Sequence, residues 1–188
     1  YLALQTSTPI NVTLVGSSLP LWMLAVGTLC FGARVSRRAL GGALLSMLGV
    51  LLVLSRGEWQ QLLALRLVPG DLYMIAGTIA WAFYSWLLAR THEPANVRSD
   101  WAAFLMAQLV FGVAWSGALA AGEWTLTDAH IDLGWPLIAA MLFIGIGPAV
   151  LAYRCWGTGV QRAGPQAASI FMNLTPLFAA VLSAAFLG

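Results

Sequence analysis

Six stretches of the chain contain no aspartate, glutamate, lysine or arginine. A helix that crosses the hydrocarbon core of a bilayer needs about 20 mostly apolar residues, with a range of roughly 17–25. The uncharged stretches are residues 1–33, 39–55, 72–89, 101–122, 133–153 and 163–188. Lipid offers no hydrogen-bond partner to the backbone edge of a β-strand, so each stretch predicts one spanning helix. The first stretch also holds the end of an earlier helix.

The composition excludes an ordinary soluble fold. Hydrophobic residues make up 60% of the chain and charged residues 9%, whereas a soluble domain carries about 25% charged residues. A soluble protein could not cover that much apolar surface, so the sequence predicts an all-α polytopic membrane protein with the lipid bilayer as its surroundings. The chain has no lysine and few arginines beyond its short loops, so we expect no nucleic-acid partner.

The chain repeats itself at one fixed displacement of 156 positions. The matching residues are Pro9 with Pro165, Pro20 with Pro176, Leu21 with Leu177 and Gly32 with Gly188. Two proline matches at one spacing are informative, because the chain has only eight prolines. Repeated membrane units build many carriers, since two facing copies frame one central site. The alternative is a coincidence between two helices rich in leucine and alanine.

The arginines predict the orientation of the two copies. Arginine marks the cytoplasmic side of a membrane protein, and one side carries Arg34, Arg37, Arg38, Arg90, Arg98, Arg154 and Arg162. The first copy then enters the membrane from outside at Pro9, and the second enters from the cytoplasm at Pro165. The copies therefore run in opposite senses, which an odd number of helices per repeat produces. We expect an inverted repeat in a bacterial inner membrane.

The repeat also predicts the domain organisation. We expect residues 1–55 to be the end of a first repeat, residues 56–70 to be a connector, and residues 71–188 to be a second repeat without its last helix. If the second copy begins near Asp71, the complete protein carries two to three more helices at its start and about one more at its end.

Four groups of residues stand in the order and spacing of a known carrier family. They are Leu19-Pro20-Leu21 before Gly32, Gly70-Asp71-Leu72 before Ala80-Trp81-Ala82, Gly147-Pro148 before Tyr153 and Trp156, and Leu174-Thr175-Pro176-Leu177 before Gly188. They resemble helices four, six, eight and nine of the EamA-type carriers of the drug/metabolite transporter superfamily. The resemblance implies ten helices in two inverted five-helix repeats, with this chain covering the end of helix three through helix nine. It also implies export of amino acids, metabolites or toxic organic molecules. Ala33 and Arg154 depart from the family pattern, in which glutamate and an apolar or small residue are usual.

Aromatic side chains inside the spans are candidate contacts for a solute. Trp81, Tyr84 and Ser85 share one helix face, because residues three or four apart are neighbours on a helix, and Tyr153 and Trp156 share another. Rings with a polar tip suit planar or cationic solutes through stacking and cation–π contacts. Aromatic packing or an interfacial belt is the alternative.

Arg154 and Asn173 are polar groups within the apolar spans. Arg154 lies about 12 Å from Arg162 by helical rise, so it either binds a solute carboxylate, gates the cytoplasmic entrance, or extends to the headgroups. The Asn173 amide either contacts the solute or bonds a neighbouring helix. Proline inside a helix removes a backbone hydrogen bond and favours a kink. The candidate hinges are therefore Pro20, Pro148 and Pro176.

Together these features predict a carrier that moves a small organic solute through a central cavity by alternating access. We expect no cofactor and no metal, since no cluster of ligands has metal spacing and no phosphate-binding loop occurs. We also expect no enzyme, because the serines of Gly16-Ser17-Ser18 have no histidine base within a span. A membrane enzyme with an unrecognised site is the alternative, and a non-transporting scaffold or receptor is a third interpretation. The sequence leaves the oligomeric state open.

Overall fold

The described part of the chain is helical and contains no strand, which confirms the all-α polytopic prediction for those residues. The computed structural model describes residues 2–55, 68–90, 100–126, 131 and 133–186. Its helices are α1 (Leu2–Thr6), α2 (Pro9–Ser17), α3 (Leu19–Phe31), α4 (Arg37–Ser55), α5 (Pro69–Arg90), α6 (Trp101–Leu126), α7 (Trp135–Ile146), α8 (Tyr153–Ala163), α9 (Pro165–Met172) and α10 (Thr175–Phe186). A π-helical segment, Gly147–Ala152, joins α7 to α8.

The protein is a multi-pass membrane protein. Five helical spans in the described residues are long and apolar enough to cross a bilayer, and the bent pair α2–α3 makes a sixth when it is counted as one span. Large apolar side chains of α6 are exposed: Phe111 is 78% and Trp115 72% exposed. Such surfaces are stable when the surrounding solvent is lipid, because no water has to be ordered around them.

Contacts divide the chain into two compact units. The first consists of residues 1–90 and 159–188, and the second of residues 91–158. In the first unit, Met23 on α3 and Ala82 on α5 are fully buried. In the second unit, α6 and α7 have no buried residue. The two predicted repeats are defined by the sequence displacement and not by contacts, so they need not coincide with these compact units. Their boundaries stay a prediction. Most of the 56–70 connector, Arg98 and Gly188 lie outside the described residues.

α6 extends past its uncharged stretch, residues 101–122. The acidic residues after residue 121 predict an exposed loop from residue 122, but α6 continues to Leu126 and includes Glu123. Polar side chains do not stop a helix that has left the hydrocarbon, because the unpaired carbonyls of its last turn can bond water there. The Thr125 hydroxyl also donates to the Gly122 carbonyl oxygen at 2.8 Å, within the last turn.

The two proline-containing helices are broken at equivalent places. α2 and α3 begin at residues 9 and 19, and α9 and α10 begin at residues 165 and 175. At the first break the Ser18 amide donates to the Val15 carbonyl at 3.1 Å, and at the second the Leu174 amide donates to the Phe171 carbonyl, also at 3.1 Å. Ser18 and Leu174 are separated by the repeat displacement, and so are their acceptors. The displacement therefore relates the helix breaks as well as the residues.

Glycine allows the helices of the first unit to approach closely. A Cβ atom placed on Gly70, at the start of α5, would lie 2.4 Å from the Ala3 carbonyl oxygen and 2.6 Å from Thr6 Oγ1. A Cβ atom on Gly27 of α3 would lie 2.3 Å from the Trp86 ring. That ring is held in place because its Nε1 donates to the Met23 carbonyl oxygen at 2.9 Å.

We expect Gly70→Ala to destabilise the protein by about 1–3 kcal/mol, the usual range for overpacking. The added methyl group would meet backbone atoms of α1, which cannot move aside as a flexible side chain can. The matched control is Gly77→Ala on the same helix, where nothing lies within 4 Å of the new atom. Thermal unfolding of the detergent-solubilised protein measures both variants. An equal unfolding temperature for the two would contradict the close approach of α1 and α5.

Candidate solute site

The two broken helices meet at their breaks, where Asn173 bonds them together. Asn173 follows α9, and its Nδ2 donates to the Ser17 carbonyl oxygen at 3.1 Å and to Ser46 Oγ on α4 at 2.8 Å. Ser17 stands 156 positions before Asn173, so it is the equivalent residue of the first copy. Elements related by a twofold axis meet at equivalent positions where they cross that axis. This hydrogen bond is therefore the contact expected at the centre of an inverted repeat.

The packing around this contact gives the relative direction of the two copies. α9, the first half of the second copy, packs against α3, the second half of the first copy. α2 and α10 line one cavity together. Parallel helices would bring their first halves together, so this pairing indicates that the two copies run in opposite directions.

Two cavities lie beside Asn173 in the first unit. One of about 510 Å³ lies between α4 and the α9–α10 break, and Ser46 and Asn173 supply its polar side chains. The other, of about 580 Å³, is lined mainly by α2 and α10, with Thr13 and Thr175 among its polar residues. Both volumes fall within the range of about 300–1,000 Å³ that small-molecule pockets occupy. None of the described residues that line them is charged.

Asn173 connects helices through its amide nitrogen. Both Nδ2 hydrogens are used, one by Ser17 and one by Ser46, which fixes the orientation of the amide. Only the Oδ1 atom of this side chain remains for a solute. Of the two roles that the sequence left open for Asn173, the helix–helix hydrogen bond is present, and solute contact stays a prediction.

The aromatic group on α5 is compact. The ring centroids of Trp81 and Tyr84 lie 5.2 Å apart and their planes are tilted by 43°. Ser85 is fully buried, and its hydroxyl donates to the Trp81 carbonyl oxygen at 2.8 Å. The hydroxyl of Ser85 thus bonds the backbone of its own helix, as serine often does inside an apolar helix.

The second unit holds Tyr153, Arg154 and Trp156 at the start of α8. Tyr153 is 37% exposed, and Arg154 is exposed with its guanidinium carbon 4.2 Å from the centroid of the Trp101 ring. This is a cation–π contact, and Trp101 is the first residue of α6. The Arg154 side chain therefore reaches the start of α6, and its three predicted roles stay predictions. Pro148 lies in the π-helical segment just before this group, and such segments are frequent at functional sites.

A buried carboxylate at the start of α5 is not predicted by the sequence pattern. Asp71, in the first turn of α5, is 1% exposed. It accepts hydrogen bonds from the Ser7 hydroxyl, from Asn11 Nδ2 at 3.0 Å and from the Val68 amide at 2.9 Å. These bonds connect the start of α2 to the start of α5. The sequence signal for this carboxylate is the pair Ser7 and Asn11, which lie on either side of Pro9. Polar side chains enter an apolar region at a cost unless a polar partner bonds them.

Comparisons with known proteins show what this chain is similar to. Residues 68–188 match the family described as the EamA-like transporter family. Over 97% of its length the chain is 24% identical to the uncharacterized transporter YyaM of Bacillus subtilis and 27% identical to an uncharacterized transporter of Archaeoglobus fulgidus. It is also 25% identical, over 97% of its length, to a protein of Ancylobacter novellus named aromatic amino acid exporter YddG. The chain spans 58–60% of the length of these relatives. No solved structure matches it.

We expect Asp71→Ala to lower the unfolding temperature at least about twice as far as Asp100→Ala does. The first change takes the acceptor from two buried donors and from the half-buried Val68 amide, and buried donors without a partner are costly. The control removes an exposed helix cap, in which Asp100 Oδ1 accepts from the amides of Ala102 and Ala103, and such a cap contributes about 1 kcal/mol. Thermal unfolding followed by tryptophan fluorescence measures both. A smaller effect at Asp71 than at Asp100 would contradict a structural role for this carboxylate.

Proposed function

We propose that this chain, which belongs to the EamA-like transporter family, is part of a carrier that moves a small organic solute across a bacterial inner membrane by alternating access. The observation that carries the proposal is the crossing of two broken, oppositely directed helices at Ser17 and Asn173, with cavities beside it. Broken helices in facing repeats are where carriers place their substrate sites, because the breaks free backbone groups inside the membrane.

The cavities favour a solute that is largely apolar. Their described lining carries no charge and offers only hydroxyl, amide and backbone groups. A solute with a bare net charge would lose its hydration there without a compensating partner. One relative is named as an aromatic amino acid exporter, so aromatic amino acids are the first solutes to test, with organic cations and other metabolites after them.

We assign solute contact to the residues that the sequence predicts. Support comes from the tilted ring pair on α5 and from the position of Asn173 on both cavities. The assigned residues are Trp81, Tyr84, Ser85, Tyr153, Arg154, Trp156 and Asn173. Arg154 would bind a solute carboxylate when it leaves the Trp101 ring. The bends during transport are assigned to Pro20, Pro148 and Pro176, each of which lies within or next to an interruption of a helix.

The arginine-rich side is proposed to face the cytoplasm. Arg34 and Arg37 lie around the start of α4, and Arg90 and Arg162 lie in the last turns of α5 and α8. Positive charge at these ends opposes transfer across the membrane during insertion. Under this orientation the α3–α9 pair lies on the cytoplasmic side of the Ser17–Asn173 contact.

The test of the proposed function is solute flux through the complete protein in proteoliposomes. We expect radiolabelled L-phenylalanine or L-tryptophan to cross with a saturable rate, to compete with each other, and to be recovered chemically unchanged. Liposomes without protein give the passive rate. Recovery of a chemically altered solute would favour the enzyme alternative, and the absence of saturable flux of amino acids, organic cations and other metabolites would contradict the carrier.

We expect Trp81→Ala and Tyr153→Ala to raise the KM for the transported solute by about 2- to 10-fold, because an aromatic contact contributes about 0.5–1.5 kcal/mol. The matched control is Trp115→Ala on α6, which removes an indole ring that is 72% exposed. Its KM should equal that of the unchanged protein. An unchanged KM in both test variants would contradict their assignment as solute contacts.

A further inference from the structure

The side chains that line the cavity of about 580 Å³ have few hydrogens left to donate to a solute. Thr13 and Ser17 both line it. Thr13 Oγ1 donates to the Pro9 carbonyl oxygen at 2.7 Å, and Ser17 Oγ donates to the Leu14 carbonyl oxygen at 2.6 Å. A hydroxyl carries one hydrogen and two lone pairs, so each of these two oxygens can only accept a hydrogen bond from a solute.

Asn173 is in the same state, although its side chain is an amide. Its two Nδ2 hydrogens are used by the Ser17 carbonyl oxygen and by Ser46 Oγ. A carbonyl oxygen cannot donate, so the nitrogen end of the amide has to face Ser17. The atom that remains is Oδ1, which is a third acceptor among the side chains that line the cavity.

The prolines add backbone acceptors in both copies. In a continuous helix the carbonyls of Gly16 and Met172 would accept from the amides four residues later. Those residues are Pro20 and Pro176, which have no amide hydrogen. Gly16 and Met172 are repeat equivalents, and both line the cavity. Gly16 has no side chain, so it lines the cavity with its backbone.

Donors for an anion are scarce in the same lining. Among the described lining residues, Thr175 carries the only other hydroxyl, and none is charged. The amides in the first turn of α10 would suit an anion, but Pro176 removes one of them. An ammonium group has up to three N–H donors, whereas a carboxylate has only acceptors. The cavity thus has partners for an ammonium group and few for a carboxylate.

We propose that this cavity binds the ammonium group of a primary amine or amino acid, with oxygens of Thr13, Ser17 and Asn173 replacing the water around it. The inference rests on the proposed function and adds to it which end of the solute the site recognises. Hydrogen bonds from a charged donor are roughly twice as strong as neutral ones, so several neutral oxygens compensate the positive charge without a carboxylate. Met74 and Met172 also line the cavity, and their thioethers suit the apolar part of the same solute.

Binding to the purified complete protein in detergent tests this assignment apart from transport. One radiolabelled probe is phenethylamine, which has the ammonium group and no carboxylate, and the other is hydrocinnamate, which has the carboxylate and no ammonium group. Both carry the same phenyl ring on the same short chain. We expect the dissociation constant of the amine to be at least about tenfold lower, because hydrogen bonds from a charged group are strong. Equal affinities, tighter binding of the carboxylate, or no binding of the amine would overturn the proposal.

Thr13→Val removes one acceptor and keeps the branched shape of the side chain. We expect it to raise the dissociation constant of phenethylamine about fivefold or more and to leave that of hydrocinnamate unchanged. The matched control is Thr28→Val on α3, because Thr28 Oγ1 also donates to the carbonyl four residues earlier, that of Leu24, at 2.8 Å. Thr28 does not line the cavity. An unchanged constant in Thr13→Val, or an equal rise in Thr28→Val, would overturn the assignment. Ser17→Ala, which removes a second acceptor, gives the same test if Thr13→Val does not fold.

Sodium ions and flux separate this proposal from two alternatives. Backbone carbonyls of interrupted helices also coordinate sodium in carriers, so binding is repeated in sodium chloride and in choline chloride, whose cation has no N–H donor. Equal affinity in both salts supports the amine, whereas competition by sodium alone would identify a metal-ion site and overturn the proposal. Phenethylamine binding without saturable flux of any solute would contradict the proposed function and leave the ammonium site supported. Saturable flux of phenylalanine that Thr13→Val and Ser17→Ala leave unchanged would do the reverse.

Discussion

Inside a bilayer no water is present to form a hydrogen bond with a backbone group that a broken helix leaves unpaired. Each such unpaired group costs several kcal/mol. The arrangement of the first unit follows from this constraint. At the first break, the hydroxyls of Ser17 and Ser18 donate to the carbonyls of Leu14 and Val15, each at 2.6 Å. The Ser17 carbonyl, at the end of α2, accepts instead from Asn173 of the other copy. The break is thus tolerated because the second copy supplies a partner for it.

The same constraint explains the buried carboxylate at the start of α5. An isolated charge would not remain at such a position, and Asp71 stays there because two side chains and one backbone amide donate to it. These bonds fix the entry of α2 relative to α5, and Gly70 allows the backbones to come close enough for the bonds to form. The cavity between α2 and α10 is therefore bounded on one side by a helix whose start is held by polar contacts.

The sequence predicts the parts of this structure that depend on periodicity and on backbone chemistry. Uncharged length predicts the spans, and proline in an apolar run predicts the interruptions near Pro20 and Pro176, because proline removes a backbone donor wherever it occurs. The partners of the freed groups depend on which helices become neighbours, so the bond from Asn173 to Ser46 cannot be predicted from spacing. The contact of Arg154 with Trp101 has the same origin, since the two residues lie far apart in sequence.

The two copies satisfy their breaks by different means. At the first break, the serine hydroxyls bond carbonyls of their own helix, and the Ser17 carbonyl accepts from the second copy. The second break has Asn173 and Leu174 at the equivalent positions. The side-chain amide of Asn173 donates to α2 and α4. A bond to α4 restrains only the second copy. Pseudosymmetry in the sequence thus places the two breaks, and the residues that differ between the copies decide how each break is bonded.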